Sequence, residues 1–256
     1  MRKNKVIIDH KTIHNEIIED FFKAYNSSIK LEDDKDSKKD FKSIINSSDE
    51  TAQFGVAYIK INNKIVSGTF YVAIKIPKDK QEIWKTDIAI IIIYTFTLEN
   101  YRRKGYSYTI LNELEIYFSK YRCIWFCEVL DENKLTNKQL KEEQKYADIT
   151  CSDREKFWTK VGFNKCIFNY YNPLPDLSKN CNGIIDYNGL WVKVSFYDEN
   201  HKYILKELAL FALYSYFKYG YLAGNSYGHK WEAYKKNKHS IGKIKGNSIE
   251  FKKLLM

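Results

Sequence analysis

Apolar residues recur along this chain in several rhythms, and each rhythm predicts an element. Residues 5–9 are apolar enough for a short strand. From Thr12 to about Ile29, Ile13, Ile17, Ile18, Phe21, Phe22 and Tyr25 return at helical spacing. The stretch Lys30–Asp40 mixes charges without period and reads as a loop, with a short helix around Phe41–Ile45. Two β-rich runs then flank Asn62-Asn63, a hairpin signal, with alternation clearest at Phe70, Val72, Ile74 and Ile76. Residues 88–98 form an unbroken apolar, β-branched run, as expected of a central strand covered on both faces. A buried helix is the competing reading.

Beyond a turn at Glu99–Gly105, Ile110, Leu111, Leu114, Tyr117, Phe118 and Tyr121 give one apolar face to a helix from about Tyr106 to Lys120. Residues 123–129 predict another strand. The polar segment Leu130–Thr150 reads as an inserted loop with room for a helical piece. A short helix from Asp153 to Val161 is ended by Gly162, and strands follow near 165–171 and 189–197. Residues 203–219 predict a helix that is apolar on more than one face. From Gly224 onward the chain is too poor in apolar residues to predict an element.

Composition narrows the class. Hydrophobic residues make up 44% and charged residues 29% of 256, the balance of a soluble globular protein. No segment approaches the length of a membrane span or an apolar leader, and the expected location is the cytoplasm. Five cysteines, at 123, 127, 151, 166 and 181, lie in or beside apolar runs without paired zinc spacing, which predicts free buried thiols. The histidines form no ligand pair, and no metal is expected. The net charge of +10 is concentrated in residues 227–256, with eight Lys and two Glu. It therefore says little about the rest of the chain, and a nucleic-acid partner is not the first expectation.

The segment TFTLENYRRKGYSYTILNELE carries the chemistry. A predicted central strand runs through a basic, glycine-containing turn directly into a helix. Such a turn offers backbone N–H groups and the positive end of the helix dipole to a phosphate, without a metal. Gly105 permits close approach of a ligand, Ser107 is small and able to donate, and Arg102, Arg103 and Lys104 supply countercharge. Neither Walker spacing nor G-x-G-x-x-G is present.

Here the sequence resembles the GNAT superfamily of N-acyltransferases, whose turn reads Arg or Gln, two residues, Gly, one residue, then Gly or Ala. Arg102, Gly105 and Ser107 match it, with Ser in the last small position. REKFWTKVGF, at 154–163, resembles the family's second segment, F-Y-x-K-x-G-F, and the order of elements agrees over roughly residues 5–197. A narrower likeness, to bacterial members, rests on Glu128-Val129, the 130–150 insertion and Tyr170-Tyr171-Asn172-Pro173-Leu174.

The resemblance implies an α/β fold, layered as α+β: a mixed, mostly antiparallel sheet with splayed strands flanked by helices, and a C-terminal helical extension. It implies acetyl-CoA as acyl donor and an amine acceptor. The pyrophosphate would lie on the amides of Arg103, Lys104, Gly105, Tyr106 and Ser107. Backbone groups near Phe96 and Leu98 would hold the pantetheine, with Trp158 close to that arm. Many members use a Tyr where this chain has Trp158, so Tyr170 or Tyr171 stands as the acid for the departing thiolate. Glu128 is the candidate base, with Glu99 and Asp131 behind it. Cys127 lacks a nearby His and is not expected to carry the acyl group.

Two units are expected: an acyltransferase domain at 1–200, and a helix with a basic tail at 201–256, packed on the domain or on a second subunit in a homodimer. Leaving Leu205, Leu208, Phe211 and Leu213 in water would cost about 1.5–3 kcal/mol each, so burial is expected. Truncation after Asp198 should therefore destabilise, while loss of the last 25 or so residues should be better tolerated. The alternative function is a coenzyme A sensor or an RNA-binding module, the latter through Tyr227, Trp231 and Tyr234 among lysines.

Overall fold

A computed structural model describes residues 5–10, 13–29, 37–146, 149–173, 184–195, 203–219 and 229–252. Residues 30–36 of the expected loop, Leu174, Cys181, Tyr227 and the end of the expected strand 189–197 lie outside the described residues.

The elements follow in the order β1 (Val6–His10), α1 (Asn15–Ser28), α2 (Lys38–Asn46), β2 (Ala52–Ile61), β3 (Lys64–Lys75), α3 (Lys78–Trp84), β4 (Ile88–Thr97), α4 (Tyr106–Phe118), β5 (Cys123–Leu130), α5 (Asn137–Tyr146), α6 (Cys151–Lys160) and β6 (Asn164–Cys166). Then come β7 (Asn172–Pro173), β8 (Ile184–Ile185), β9 (Asn188–Val194), β10 (Tyr203–Leu205), α7 (Lys206–Tyr219), α8 (Lys230–Gly242) and β11 (Ser248–Lys252). Nine strands form one sheet in the order β1-β2-β3-β4-β5-β9-β6-β11-β10. Among the described residues only β4 and β5 pair in parallel, joined by the α4 crossover; the other ladders are antiparallel.

Local sequence explains much of this. Asn62 and Asn63 adopt φ of 51° and 61°, the left-handed pair that a two-residue hairpin needs and that Asn tolerates. Gly162, at φ 94°, ends α6. The apolar run is a strand, and it serves two cores at once. Ala89 and Ile91 pack on the side of α1, α2 and α7, while Ile88, Ile90 and Ile92 pack on the side of α4 and α6. A bulge then changes the parity: Phe70 pairs with Tyr94 but Tyr71 with Ile92, so Ile93 has no opposite number on β3. Beyond it Tyr94 and Phe96 face α1, where Tyr94 meets Tyr25 and Phe96 meets Phe21 at ring distances of 4.4 and 5.3 Å.

Several expectations need correction. The strand expected over 165–171 is paired only at 164–166, and residues 167–171 run outside any ladder. The helix expected from 203 begins at Lys206, after β10. Its burial is as the apolar pattern requires: Leu208 and Leu213 are buried, and Phe211 packs on Trp84. The stretch after Gly224, for which no element was predicted, contributes α8 and β11. Because β11 lies between β6 and β10 in the main sheet, with Ile249 and Ile241 buried, residues 229–252 are not a dispensable tail. Three tyrosine and tryptophan rings of this region, Tyr214, Trp231 and Tyr234, pack on one another.

Candidate functional site

The parallel ladder between β4 and β5 runs from Ile88 and Cys123 to Ile92 and Cys127, and there it stops. β4 continues to Thr97 beside β3, and β5 continues to Leu130 beside β9, so the two strands part. An edge of each strand loses its partner along this opening. Backbone groups on such an edge need a partner from water or a ligand.

The register decides which groups of β4 face the opening. The Leu98 amide donates to Val66 O at 2.9 Å, towards β3. In an antiparallel ladder the direction alternates, so Phe96 also turns its backbone towards β3, where its carbonyl accepts from the Ser67 hydroxyl at 2.8 Å. Thr95 and Thr97 face the other way. Phe96 and Leu98, near which backbone groups were expected to hold a ligand, thus bond towards β3, and the neighbouring Thr95 and Thr97 turn their backbone to the opening.

The basic turn lies at the end of the same arm. Leu98 leads into a single 3-10 turn, Glu99–Tyr101, and Gly105 is the N-cap of α4 at φ 77°. A glycine has no side chain with which to cap, so first-turn amides of α4 are left for solvent or an anion. A Cβ at Gly105 would meet nothing within 4 Å, which leaves the space over the turn open. Arg103 also takes a left-handed φ of 61°, and its side chain and that of Lys104 are exposed. Lys104 stands over the Tyr101 ring at 5.1 Å.

Two residues of the turn are engaged with β4. Arg102 Nε donates to Thr97 O at 3.1 Å, which fastens the turn to the strand end. The Ser107 and Thr97 hydroxyls are 2.8 Å apart, and Thr97 is also 2.8 Å from the Ser67 hydroxyl. This hydroxyl chain ties α4 to β4 and β3. Tyr106, half-buried, packs against the α4 and α6 core, in which Trp158 is in ring contact with Phe157 and Phe163.

Glu128 is the first residue of β5 past the parallel ladder, and it is half-buried. Its neighbours Cys127 and Val129 face α4 and α6, so alternation puts Glu128 on the opposite face. There the Tyr170 hydroxyl donates a hydrogen bond to Glu128 Oε1. Tyr170 is fully buried, and burial first, with the Glu128 charge second, pushes its phenol well above the ordinary value. It therefore stays protonated. Tyr171 is placed differently: its ring lines a surface depression of about 390 Å³ along α8, with Lys236, His239 and Lys243.

The remaining candidates fall away on geometry. Glu99 is exposed in the 3-10 turn, and Asp131 is buried in an ion pair with Lys165 at 2.5 Å. Cys127 is fully buried, and burial raises its thiol well above the ordinary value, so it is a poor nucleophile. Thr95, Thr97 and Ser67 were not read from the sequence as site residues, although alternation in TFTL already separates the threonines from Phe96 and Leu98.

No family model matches the chain, and no curated protein matches it. Among solved structures it is similar to Arabidopsis thaliana NAA60 in complex with a bisubstrate analogue, at 13% identity over 73% of this chain and 98% of that one, TM-score 0.46. It is also similar to Arabidopsis thaliana Naa50 in complex with the bisubstrate analogue CoA-Ac-MVNAL (15%, 73% and 97%, TM-score 0.43) and to Ard1 from Thermoplasma volcanium (14%, 74% and 99%, TM-score 0.42). The mixed, mostly antiparallel sheet, its parallel pair that parts after Ile92 and the basic glycine turn leading from that opening into α4 are the features that the resemblance to the GNAT superfamily implies.

Proposed function

We propose that this protein is an acyl-coenzyme A dependent N-acyltransferase, moving an acetyl group from acetyl-CoA to an amine by direct attack. The observation that carries the reading is the parting of β4 and β5, with the open turn into α4 at the end of one arm and the Glu128–Tyr170 pair at the start of the other.

In this reading the pyrophosphate lies on the amides between Arg103 and Ser107, where Gly105 leaves room and Arg103 and Lys104 add positive charge. The pantetheine arm adds to the edge of β4 at Thr95 and at the Thr97 amide, the Thr97 carbonyl already accepting from Arg102, as an extended ligand adds to a sheet edge. That places the thioester near the apex, beside Ile93. The bulge leaves Ile93 without an opposite number on β3, and in this reading its amide serves the oxygen on which charge develops.

The amine nitrogen attacks the thioester carbonyl carbon, the C–S bond breaks, and the amine proton passes to the Glu128 carboxylate. Tyr170 holds that carboxylate in place and keeps its own proton. Its raised pKa and its commitment to Glu128 make it a poor acid for the thiolate, which takes its proton from solvent. Trp158 serves the core beneath α4 rather than proton transfer.

Titration calorimetry with acetyl-CoA, followed by thiol release with a panel of amines, tests the reading. Absence of acetyl-CoA binding sinks it. Binding without thiol release from any amine leaves a coenzyme A sensor on the same fold.

A further inference from the structure

Tyr170 lies in a segment, residues 167–171, that no ladder holds. The ends of the segment are tied: the Ile167 amide donates to Glu250 O of β11 at 2.9 Å, and Asn172 and Pro173 pair with Ile185 and Ile184. Between those ties one side chain grips the backbone. Asn237 Oδ1 accepts from the Tyr171 amide at 2.9 Å, and Asn237 Nδ2 donates to the Tyr171 carbonyl at 2.6 Å.

The Tyr171 amide belongs to the peptide that joins it to Tyr170. Fixing that peptide plane fixes the position of the Tyr170 Cα and the axis of its Cα–C bond, the base from which the Tyr170 side chain reaches Glu128. A carboxamide carries a donor and an acceptor in one plane and can close this two-bond ring with a backbone; a carboxylate has no donor for the carbonyl. Asn237 is fully buried, so water does not replace it. On α8 it stands between the buried Ala233 and Ile241 at four-residue spacing, at the centre of the helix's apolar face. A polar group there is unfavourable unless both of its ends are paired.

We propose that Asn237 is a positioning residue for the Glu128–Tyr170 pair, so that the C-terminal segment is part of the active site. This inference rests on the transferase reading above for its kinetic consequence but not for its geometry. α8 acts through Tyr171, whose backbone it clamps. Asn237 itself does not touch the reacting atoms.

The test uses the full chain with Asn237→Leu, which removes both hydrogen bonds, and Asn237→Ser, a milder change should the leucine variant not fold. Protein labelled with 13C at the tyrosine ζ carbon reports Tyr170, identified by the resonance lost in Tyr170→Phe. The Tyr170 resonance is expected to move in both Asn237 variants. Turnover is expected to fall roughly tenfold or more, with acetyl-CoA affinity within about twofold of the parent. An unmoved Tyr170 resonance in a folded variant overturns the proposal, as does a loss shared equally between coenzyme affinity and turnover. If the parent transfers no acetyl group, the transferase reading fails, and the resonance alone still decides whether Asn237 orients Tyr170.

Discussion

The Tyr170 hydroxyl donates to the Glu128 carboxylate across 42 residues of sequence, joining the irregular segment after β6 to the open end of β5. A half-buried carboxylate so held on one oxygen has its rotamer fixed at the open end of the strand. Glu128→Gln is expected to lower turnover by about 10² or more while leaving acetyl-CoA affinity nearly unchanged. Tyr170→Phe should lower turnover less, and the double variant should lose less than the two single losses combined, because the residues act as a unit. Steady-state kinetics with coenzyme titration check this, and additive losses would mean that the pair is not coupled.

At the basic turn into α4, Gly105 has φ of 77° and empty space where a Cβ would go. Gly105→Ala should therefore cost only the backbone term, about 1–2 kcal/mol, and Gly105→Val more. Acetyl-CoA affinity should drop by at least about tenfold in the valine variant, since the added atoms occupy the space left for the ligand. Thermal melting separates the two effects. Normal binding by a folded Gly105→Val protein would place the pyrophosphate elsewhere.

The C-terminal strand makes a sharper prediction than the sequence alone. Removing residues 229–252 takes away β11, which pairs with β6 and β10, and with it the buried Ile249, Phe251, Ile241 and Ala233. Each large side chain among these contributes about 1.5–3 kcal/mol. The truncated chain is expected to be insoluble or to melt far below the parent, contrary to the tolerance that composition implies. A soluble truncated protein with the parent melting temperature would show that β11 adds nothing to the sheet.

At the other end of β4, Arg122 bonds both oxygens of Asp87, at 2.8 and 3.1 Å, and also reaches Glu82. The hydrogen bonds from Arg122 are the main reason that the Asp87 carboxyl lies below its ordinary value of 3.8. A carboxyl lowered by folding contributes stability above its ordinary value, and that contribution is lost as pH falls through the lowered one. Arg122→Gln should thus destabilise at neutral pH, with a difference from the parent that shrinks below about pH 4. Urea midpoints measured from pH 7 to pH 3 check this, and a constant difference would rule the pair out as its source.

Much of the architecture is determined within short stretches of sequence. The hairpin follows from Asn62-Asn63, whose side chains tolerate left-handed backbone, and α4 from apolar residues that return every three or four positions after Gly105. The apolar run of β4 follows from its β-branched content. Steric and periodic signals of this kind act over a few residues and survive whatever the rest of the chain does. Three features of the proposed site were decided only by tertiary structure: the parting of β4 from β5, the bulge that shifts the register before Thr95 and Thr97, and the clamp of Asn237 on Tyr171 across 66 residues. Glu128 and Tyr170 were legible singly as candidates, but not as a pair. A hydrogen bond between distant residues depends on which strand edges meet, and β11 shows why this escapes local reading: SIEFK is a strand because β6 and β10 offer it two edges, not because five such residues prefer to be one.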